Sequence, residues 1–181
     1  MLDAVNPWGR RVRPYLSPNV RAQIAREAWQ VQAHFRLRQQ IFAGEQGLFS
    51  ASDRDENDAR ALPIVALSAA FGIDDEVVGV VRIYPESDGI WYGGRLGVCA
   101  RYRTQGSVGT ALIDCAVRSA HALGCRTFLA TVQQQNVRYF ERHHFAPLRE
   151  IDVHGHVHCL MQADLARYPA DPAALCFARA A

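Results

Sequence analysis

One stretch near the middle of the chain constrains the fold more than any other. Residues 95–112 read Arg-Leu-Gly-Val-Cys-Ala-Arg-Tyr-Arg-Thr-Gln-Gly-Ser-Val-Gly-Thr-Ala-Leu, an aliphatic segment followed by a turn that contains Gly106 and Gly109. Beyond the turn, apolar and small residues recur at steps of four and three, which predicts a helix over 108–123 that ends at Gly124. The sequence therefore predicts a strand that enters a helix through a glycine-containing turn.

This turn has two interpretations. The first N–H groups of a helix have no partner inside the helix, and together with the helix dipole they form a site for phosphate. Arg101 and Arg103 precede the turn and would add cationic donors. Alternatively, the glycines serve only the tight geometry of a strand-to-helix connection. The glycines by themselves do not decide between the two.

The remaining periodicity predicts a layered α/β domain of the α+β type. The order of elements favours a mixed, mostly antiparallel sheet of six or seven strands with helices packed on it. The domain is expected over 20–165, with an N-terminal arm at 1–19 and a C-terminal tail at 166–181. Strands are predicted at 20–25, 62–67, 77–84, 90–99, 127–132, 148–154 and 158–163, and further helices from 27 to about 44 and at 137–144.

Two local predictions concern the segments before the sheet. One buried apolar stripe is predicted on the first helix, because four residues stand at steps of four, namely Trp29, Ala33, Leu37 and Ile41. Residues 53–58 read Asp-Arg-Asp-Glu-Asn-Asp and form an acidic segment. We interpret this segment as a solvated loop, the alternative being that it attracts a cationic amine.

Composition excludes several classes of protein. A length of 181 residues corresponds to one domain, and no apolar run reaches the roughly 18 residues that cross a bilayer. The formal net charge of +2 is too small to indicate nucleic-acid binding. Five cysteines without a Cys-x-x-Cys pair fit neither a zinc ribbon nor a disulfide framework. A cytoplasmic location is therefore the default expectation.

Several segments resemble motifs of the GNAT superfamily of acyl-CoA N-acyltransferases. Residues 96–103, Leu-Gly-Val-Cys-Ala-Arg-Tyr-Arg, resemble the end of its fourth strand. Residues 103–112 resemble its phosphate-binding pattern Arg/Gln-x-x-Gly-x-Gly/Ala, with Ser107 as one extra residue. Residues 36–47 resemble its first helix, and residues 133–145 resemble the segment after its fifth strand. The resemblance is closest to a bacterial subgroup described as nitrogen-starvation or nitrilase-cluster N-acetyltransferases.

The resemblance implies a sheet that splays between its fourth and fifth strands. It also implies that an acetyl group passes directly from acetyl-CoA to the amine of a small-molecule acceptor. The thioester arm would bond to the backbone of residues 96–98, and the pyrophosphate would bind at the helix N-terminus. No metal, nucleic acid or membrane is expected to take part, and a homodimer is expected because relatives often dimerise. The implied acetyl-CoA site consists of Leu96, Gly97, Val98, Arg101, Arg103, Thr104, Gln105, Gly106, Ser107, Val108, Gly109, Thr110, Asn136, Phe140 and Arg142.

Three candidates for acid–base catalysis stay open. Direct attack needs a group that removes a proton from the amine, and an acid can protonate the leaving thiolate. Glu45 ends the first helix near the acceptor site of relatives, so it is either the base or a surface or capping residue. His158 aligns with a histidine of the resembling subgroup and is either a proton relay or a structural histidine. Relatives often place an acidic Tyr where this chain has Phe140, and the adjacent Tyr139 is the third candidate, although helical geometry points its side chain elsewhere.

The sequence leaves other functions and sites open. His154, His156 and His158 alternate, a spacing able to bind a metal on one face of a strand, but Gly155 interrupts the strand and we expect no metal there. An enzyme similar to acyl-homoserine-lactone synthases would also have an Arg-x-x-x-Phe pattern, present here from Arg38, ahead of an acidic loop. That group characteristically lacks the glycine-containing turn. Besides an N-acetyltransferase and an enzyme similar to these synthases, a third possibility is a non-catalytic protein of the same fold that binds acyl-CoA.

Overall fold

A computed structural model describes residues 16–17, 19–47, 49, 52–70, 73–153 and 155–174. Most of the predicted N-terminal arm lies outside these residues. The helices are α1 (Ala28–Arg38), which continues as a π-helix over Gln39–Glu45, α2 (Gly106–Ala122) and α3 (Val137–Arg142). The strands are β1 (Val20–Ile24), β2 (Leu62–Ala70), β3 (Ile73–Ser87), β4 (Ile90–Val98), β5 (Thr127–Gln133), β6 (Phe145–Val153) and β7 (His156–Ala163). No helix in these ranges is long and apolar enough to cross a membrane.

The seven strands form one sheet in the order β1-β2-β3-β4-β5-β7-β6. Every neighbouring pair is antiparallel except β4 and β5, which run parallel. The parallel pair needs a crossover, and α2 supplies it. The predicted mixed, mostly antiparallel sheet with flanking helices is therefore confirmed.

Five of the seven strands are longer than the sequence pattern predicts. β3 begins at Ile73, four residues before the predicted start at residue 77. β6 begins at Phe145 rather than three residues later, and β7 begins at His156. Polar residues at these strand ends conceal the pairing in the sequence, because pairing depends on the neighbouring strand and not on local hydrophobicity.

α2 packs directly on the centre of the sheet. A Cβ on Gly79 of β3 would lie 2.8 Å from Leu112 Cδ1 and 3.0 Å from Val108 Cγ1, so only glycine leaves room for the helix at this position. Val108 and Leu112 are fully buried by this contact. The close approach fixes the start of α2 next to the end of β4.

The buried face of α1 differs from the predicted apolar stripe. Leu37 and Ile41 are buried as predicted, but Trp29 is 43% exposed and the prediction for it is wrong. The helix instead buries Gln30, His34 and Arg38. A hydrophobic-periodicity argument misses these residues because their burial depends on partners elsewhere in the chain.

Residues 165–174 pack against α2. Tyr168 is buried with the core, and its hydroxyl donates to the carbonyl oxygen of His143. The Arg118 guanidinium of α2 donates from Nε to the carbonyl oxygen of Pro169 at 3.0 Å. The first residues of the predicted C-terminal tail therefore cover part of the domain.

Candidate functional site

The site begins where β4 and β5 separate. Their pairing runs from Ile90 opposite Thr127 to Gly93 opposite Ala130 and then stops, although both strands continue. Immediately beyond, β4 carries an irregularity in its pairing with β3, and Arg95 has φ 56°. Such a bulge bends a strand and increases its twist. The two strands therefore diverge, as predicted.

The predicted contacts on β4 lie in this divergent part. Leu96, Gly97 and Val98 follow the last residue that pairs with β5, so the side of β4 that faces β5 has no strand partner there. A Cβ on Gly97 would lie 2.9 Å from Ile41 Cδ1, so the π-helical continuation of α1 packs closely against this segment. The unpaired edge of β4 thus leaves backbone N–H and C=O groups for an extended chain with amide groups in the cleft.

The turn after β4 ends at the uncapped N-terminus of α2. Gln105 is the N-cap residue and makes no side-chain hydrogen bond to the first turn, which contains no acidic residue. Residues 104–110 all lie on this turn or on the first turn of the helix. Backbone N–H groups at such a position favour a phosphate. Nothing is within 4 Å of a Cβ built on Gly106, so the approach to these groups is open.

Both predicted phosphate-binding arginines contact carboxylates. Arg101 donates to Glu76 at 2.5–2.6 Å. Arg103 forms an ion pair with Glu45 and donates from Nε to the Val98 carbonyl oxygen at 2.9 Å. These pairs are exposed, and exposed ion pairs contribute only about 0–1 kcal/mol. A phosphate can therefore compete for either guanidinium at low cost.

Glu45 lies beside the end of β4 rather than alone in a pocket. The ion pair with Arg103 engages its carboxylate, so the carboxylate is not free to face an incoming amine. Its assignment as the base stays a prediction. The Glu45–Arg103 ion pair connects the end of the π-helical segment to the end of β4. The family resemblance assigns Arg103 to the cofactor site.

α3 places Tyr139 and Phe140 in different surroundings. Tyr139 lies against the first turn of α2, where a Cβ on Gly109 would overlap its hydroxyl oxygen. Burial raises the pKa of Tyr139, although its hydrogen bond with Thr110 opposes the shift. Phe140 packs edge-on against Phe145, with ring centroids 5.2 Å apart. Gly109 therefore makes room for a side chain of α3, a role that the sequence does not reveal.

The other two predicted residues of this segment are exposed. Asn136 precedes α3 and makes no side-chain cap of that helix. Arg142 donates from Nε to the carbonyl oxygen of Arg138 at 3.3 Å, within α3 itself. Their assignment to the cofactor site stays a prediction.

An open cavity of about 420 Å³ lies at the end of β5. Gln133 is the last residue of β5 and pairs with His158 of β7, so the cavity floor lies on these two strands. Gln46, which follows the π-helical segment, closes the opposite side. The lining residues are Gln46, Gln133, Gln134, Gln135, His156, Val157 and His158.

A hydrogen bond fixes the tautomer of His158 in this cavity. Its Nδ1 lies 2.9 Å from the carbonyl oxygen of His156. A carbonyl oxygen only accepts, so Nδ1 carries the hydrogen and Nε2 of the neutral ring carries the lone pair. His158 therefore offers a proton acceptor in a cavity next to the cleft.

The described residues contain no group of three His, Cys, Asp or Glu side chains able to hold a metal ion. His154, the first of the three alternating histidines, lies outside those residues. His156 and His158 both line the cavity described above.

Comparisons with known proteins agree with this geometry. The model of the acetyltransferase (GNAT) family matches residues 23–145, about two thirds of the chain. The chain belongs to the GNAT family. The enzyme therefore acts by acyl transfer from CoA, and the split between β4 and β5 with the uncapped start of α2 is the candidate site for acyl-CoA.

Solved structures share this fold at low sequence identity. A protein from Lactobacillus plantarum assigned as an N-acetyltransferase is 20% identical, with a TM-score of 0.70 over 80% of this chain and 97% of that chain. ElaA of Escherichia coli is 19% identical, with a TM-score of 0.65 over 81% and 99%. The CoA-dependent acyl-homoserine lactone synthase BjaI, solved with SAM and isopentyl-CoA, is 18% identical, with a TM-score of 0.62 over 87% and 86%. No curated protein sequence matches the chain significantly.

This GNAT chain also contains a buried ion network that the sequence interpretation missed. Arg38 of α1 is fully buried, and its Nε donates to Asp53 Oδ2 at 2.7 Å. Its terminal nitrogens donate to both oxygens of Asp58, at 2.6 and 3.0 Å. Arg82 of β3 donates to both oxygens of Asp55, at 2.7 and 2.6 Å. The acidic segment 53–58 is therefore bound to the domain, and its interpretation as a solvated loop is wrong.

Arg95 extends the network to the bulge in β4. Its guanidinium donates to the Asp53 carbonyl oxygen at 3.0 Å and to Asp55 Oδ2 at 3.1 Å. Burial disfavours the charged form of Asp58, but hydrogen bonds from Arg38 and Arg82 outweigh it and hold the pKa of Asp58 below its usual range. The network therefore ties the acidic segment to the strand that opens the cleft.

Proposed function

We propose that the enzyme transfers an acetyl group from acetyl-CoA to the amine of a small molecule. The single observation that carries this proposal is the divergence of β4 and β5 ahead of an α2 N-terminus that has neither a capping side chain nor an acidic residue. Such a cleft suits a pantetheine arm followed by a pyrophosphate. Membership of the nitrogen-starvation or nitrilase-cluster subgroup and a cytoplasmic location are part of the same proposal.

In this proposal, backbone groups of β4 and α2 bind the cofactor and stabilise the charge that develops during the reaction. Acetyl-CoA supplies the thioester carbonyl that the amine attacks. A C–N bond forms, the C–S bond breaks, and CoA leaves as a thiolate. The backbone of residues 96–98 binds the thioester arm, and a backbone N–H near Val98 donates to the carbonyl oxygen as negative charge develops. The N–H groups of the first turn of α2 bind the pyrophosphate.

His158 is the stronger candidate for the base. Its Nε2 lone pair belongs to a residue that lines the cavity at the end of β5, whereas the carboxylate of Glu45 is in an ion pair with Arg103. In this proposal Nε2 takes the proton from the amine as it attacks. Tyr139 is in contact with the start of α2, a position that suits the cofactor end of the site better than the acceptor end.

The first experiment combines ligand binding with turnover. A ligand present at 100 times its dissociation constant adds about 2.7 kcal/mol to stability, so acetyl-CoA should raise Tm measurably. Release of CoA from acetyl-CoA is then measured across a panel of amines. His158→Asn should lower kcat/KM by about 100-fold or more and remove the acidic limb of its pH profile. Glu45→Gln, which alters the other candidate base, is the matched comparison. A larger loss of kcat/KM in Glu45→Gln than in His158→Asn would assign the base to Glu45.

One observation keeps a second candidate in the assay. Arg38 binds the acidic segment 53–58, and these are the residues that resemble acyl-homoserine-lactone synthases in the sequence. BjaI, which has a similar fold, was solved with SAM. SAM therefore belongs in the acceptor panel, and acyl transfer to SAM with no transfer to other amines would favour this function. Binding of acetyl-CoA without turnover on any acceptor would instead favour a non-catalytic protein.

A further inference from the structure

The cavity at the end of β5 joins both sides of the cleft. Gln133–Gln135 continue directly from β5, and Gln46 follows Glu45, whose partner Arg103 is bonded to the Val98 carbonyl oxygen at the end of β4. A molecule in this cavity therefore lies at the β5 side of the cleft, next to the helical segment whose Glu45 is paired with Arg103 at the end of β4. This position suits the acceptor.

The side chains that line this cavity are four glutamine amides, two imidazoles and one valine. The set contains no carboxylate and no guanidinium among the described residues. The nearest acidic residue in sequence, Glu45, is neutralised by Arg103. An ammonium ion that enters the cavity loses water without gaining an ion pair, which is costly. The cavity therefore favours an acceptor whose amine is already neutral.

The amides also define the rest of the acceptor. A glutamine side chain carries both a carbonyl acceptor and an N–H₂ donor. Gln135 Nε2 donates to Gln133 Oε1 at 3.1 Å, which leaves the Gln133 N–H₂ group and the Gln135 carbonyl oxygen for a ligand. Gln46 and Gln134 make no side-chain hydrogen bond within the described part of the chain. These glutamine groups can hydrogen-bond to amide or hydroxyl groups of the acceptor. They cannot form ion pairs with additional charged groups.

We propose that the acceptor is an amine of low basicity that carries an amide or hydroxyl group next to the amine-bearing carbon. This inference rests on the proposed acetyltransferase function. An amide or hydroxyl group next to the amine-bearing carbon withdraws electrons and lowers the pKa of the amine. The same acceptor groups that hydrogen-bond to the glutamine side chains therefore also favour the neutral amine. The same chemistry disfavours polyamines and lysine side chains as acceptors.

Amine basicity sets the size of the effect. At pH 7, about one in ten α-amino groups with a pKa near 8 is neutral, against about one in 2500 amines with a pKa near 10.4. The neutral fractions thus differ by roughly 250-fold. The stronger intrinsic nucleophilicity of the more basic amine offsets part of this difference. We expect a preference of at least about 10-fold in kcat/KM.

The test compares glycinamide and glucosamine with 1,4-diaminobutane and Nα-acetyl-lysine amide at saturating acetyl-CoA. The first two should have the higher kcat/KM at pH 7. Gln134→Glu places a carboxylate in the cavity at nearly constant volume and should shift the preference toward 1,4-diaminobutane by about 10-fold or more. Gln32→Glu, which makes the same change of charge on the exposed side of α1, is the matched control and should leave the preference unchanged.

The outcomes separate this inference from the proposed function. Equal or better use of 1,4-diaminobutane by the unmodified enzyme overturns the inference and leaves acetyl transfer intact. Acetyl-CoA binding without acetylation of either glycinamide or glucosamine also overturns it. If acetyl-CoA neither raises Tm nor is turned over with any amine, the proposed function itself fails.

Discussion

The contact between Gly109 and Tyr139 provides a sharp test of how α2 and α3 meet at the phosphate-binding turn. A Cβ on Gly109 would overlap the Tyr139 hydroxyl oxygen and lie 3.3 Å from Tyr139 Cζ. Gly109→Ala therefore forces α3 away from α2, a strain that typically costs about 1–3 kcal/mol. Alanine also gains up to about 1 kcal/mol over glycine from helix propensity, so the net loss should be about 0–2 kcal/mol.

Removal of the Tyr139 hydroxyl should abolish or reverse the loss of stability caused by Gly109→Ala. In a Tyr139→Phe background, Gly109→Ala retains the propensity gain and loses most of the overlap, so we expect a neutral or stabilising effect. The double-mutant cycle should then give a coupling free energy of about 1–3 kcal/mol. Urea unfolding followed by tryptophan fluorescence measures all four proteins.

The control uses another glycine of the same helical turn. Nothing is within 4 Å of a Cβ on Gly106, so the effect of Gly106→Ala should be the same with Tyr or Phe at position 139. A coupling near zero for Gly109→Ala, or equal couplings for both glycines, would refute the assignment of Gly109 to this contact. The glycine would then serve the turn or the phosphate instead.

Two further predictions concern the buried face of α1. Arg38→Leu removes the fully buried guanidinium that Asp53 and Asp58 share and leaves them only Arg95 and Arg82, so it should cost about 3–5 kcal/mol and lower Tm by about 6–20 °C. Arg60→Leu breaks an exposed pair with Glu86 and should change stability by no more than about 1 kcal/mol; similar Tm losses in the two variants would contradict the burial argument. Burial, aided by the charge of Arg38, lowers the pKa of His34 to about 4, so the unfolded chain binds more protons between about pH 6.5 and 4 and stability should fall by roughly 3 kcal/mol as pH decreases through that window. His34→Gln should flatten this part of the curve of unfolding free energy against pH, and an unchanged slope would refute the assignment.

The connection between β4 and α2 was predictable because its determinants are local. The aliphatic strand end, the glycine-containing turn and the spacing from Val108 to Leu112 are contiguous in the sequence, and the structure begins α2 at Gly106. The same holds for the divergence of β4 from β5, which follows from the resemblance of these contiguous segments to a known family. Short-range signals of this kind do not depend on the rest of the fold.

The polar side of α1 was not predictable in the same way. Gln30, His34 and Arg38 look like a solvent-facing stripe, since polar residues are seldom buried without partners. Their partners lie far along the chain: His34 Nδ1 contacts the Ile64 carbonyl oxygen at 3.2 Å, and Arg38 binds the segment around Asp53. Periodicity therefore identified the helix but assigned Trp29 to the wrong side of it. The role of Gly109 was missed for the same reason, because Tyr139 is 30 residues away.

The ion network bears on the choice of acceptor. The sequence offers the acidic segment 53–58 as a surface that could attract a cationic amine, yet Asp53, Asp55 and Asp58 are all in ion pairs with arginines of the domain. Three aspartates against three arginines leave these six groups with no net charge. The negative charges of these aspartates are therefore paired with the arginines that attach the segment to α1, β3 and the bulge of β4. In the proposed function, selection of the acceptor then depends on the cavity at the end of β5, where no carboxylate lines the described surface and hydrogen bonds rather than ion pairs would decide which amine binds.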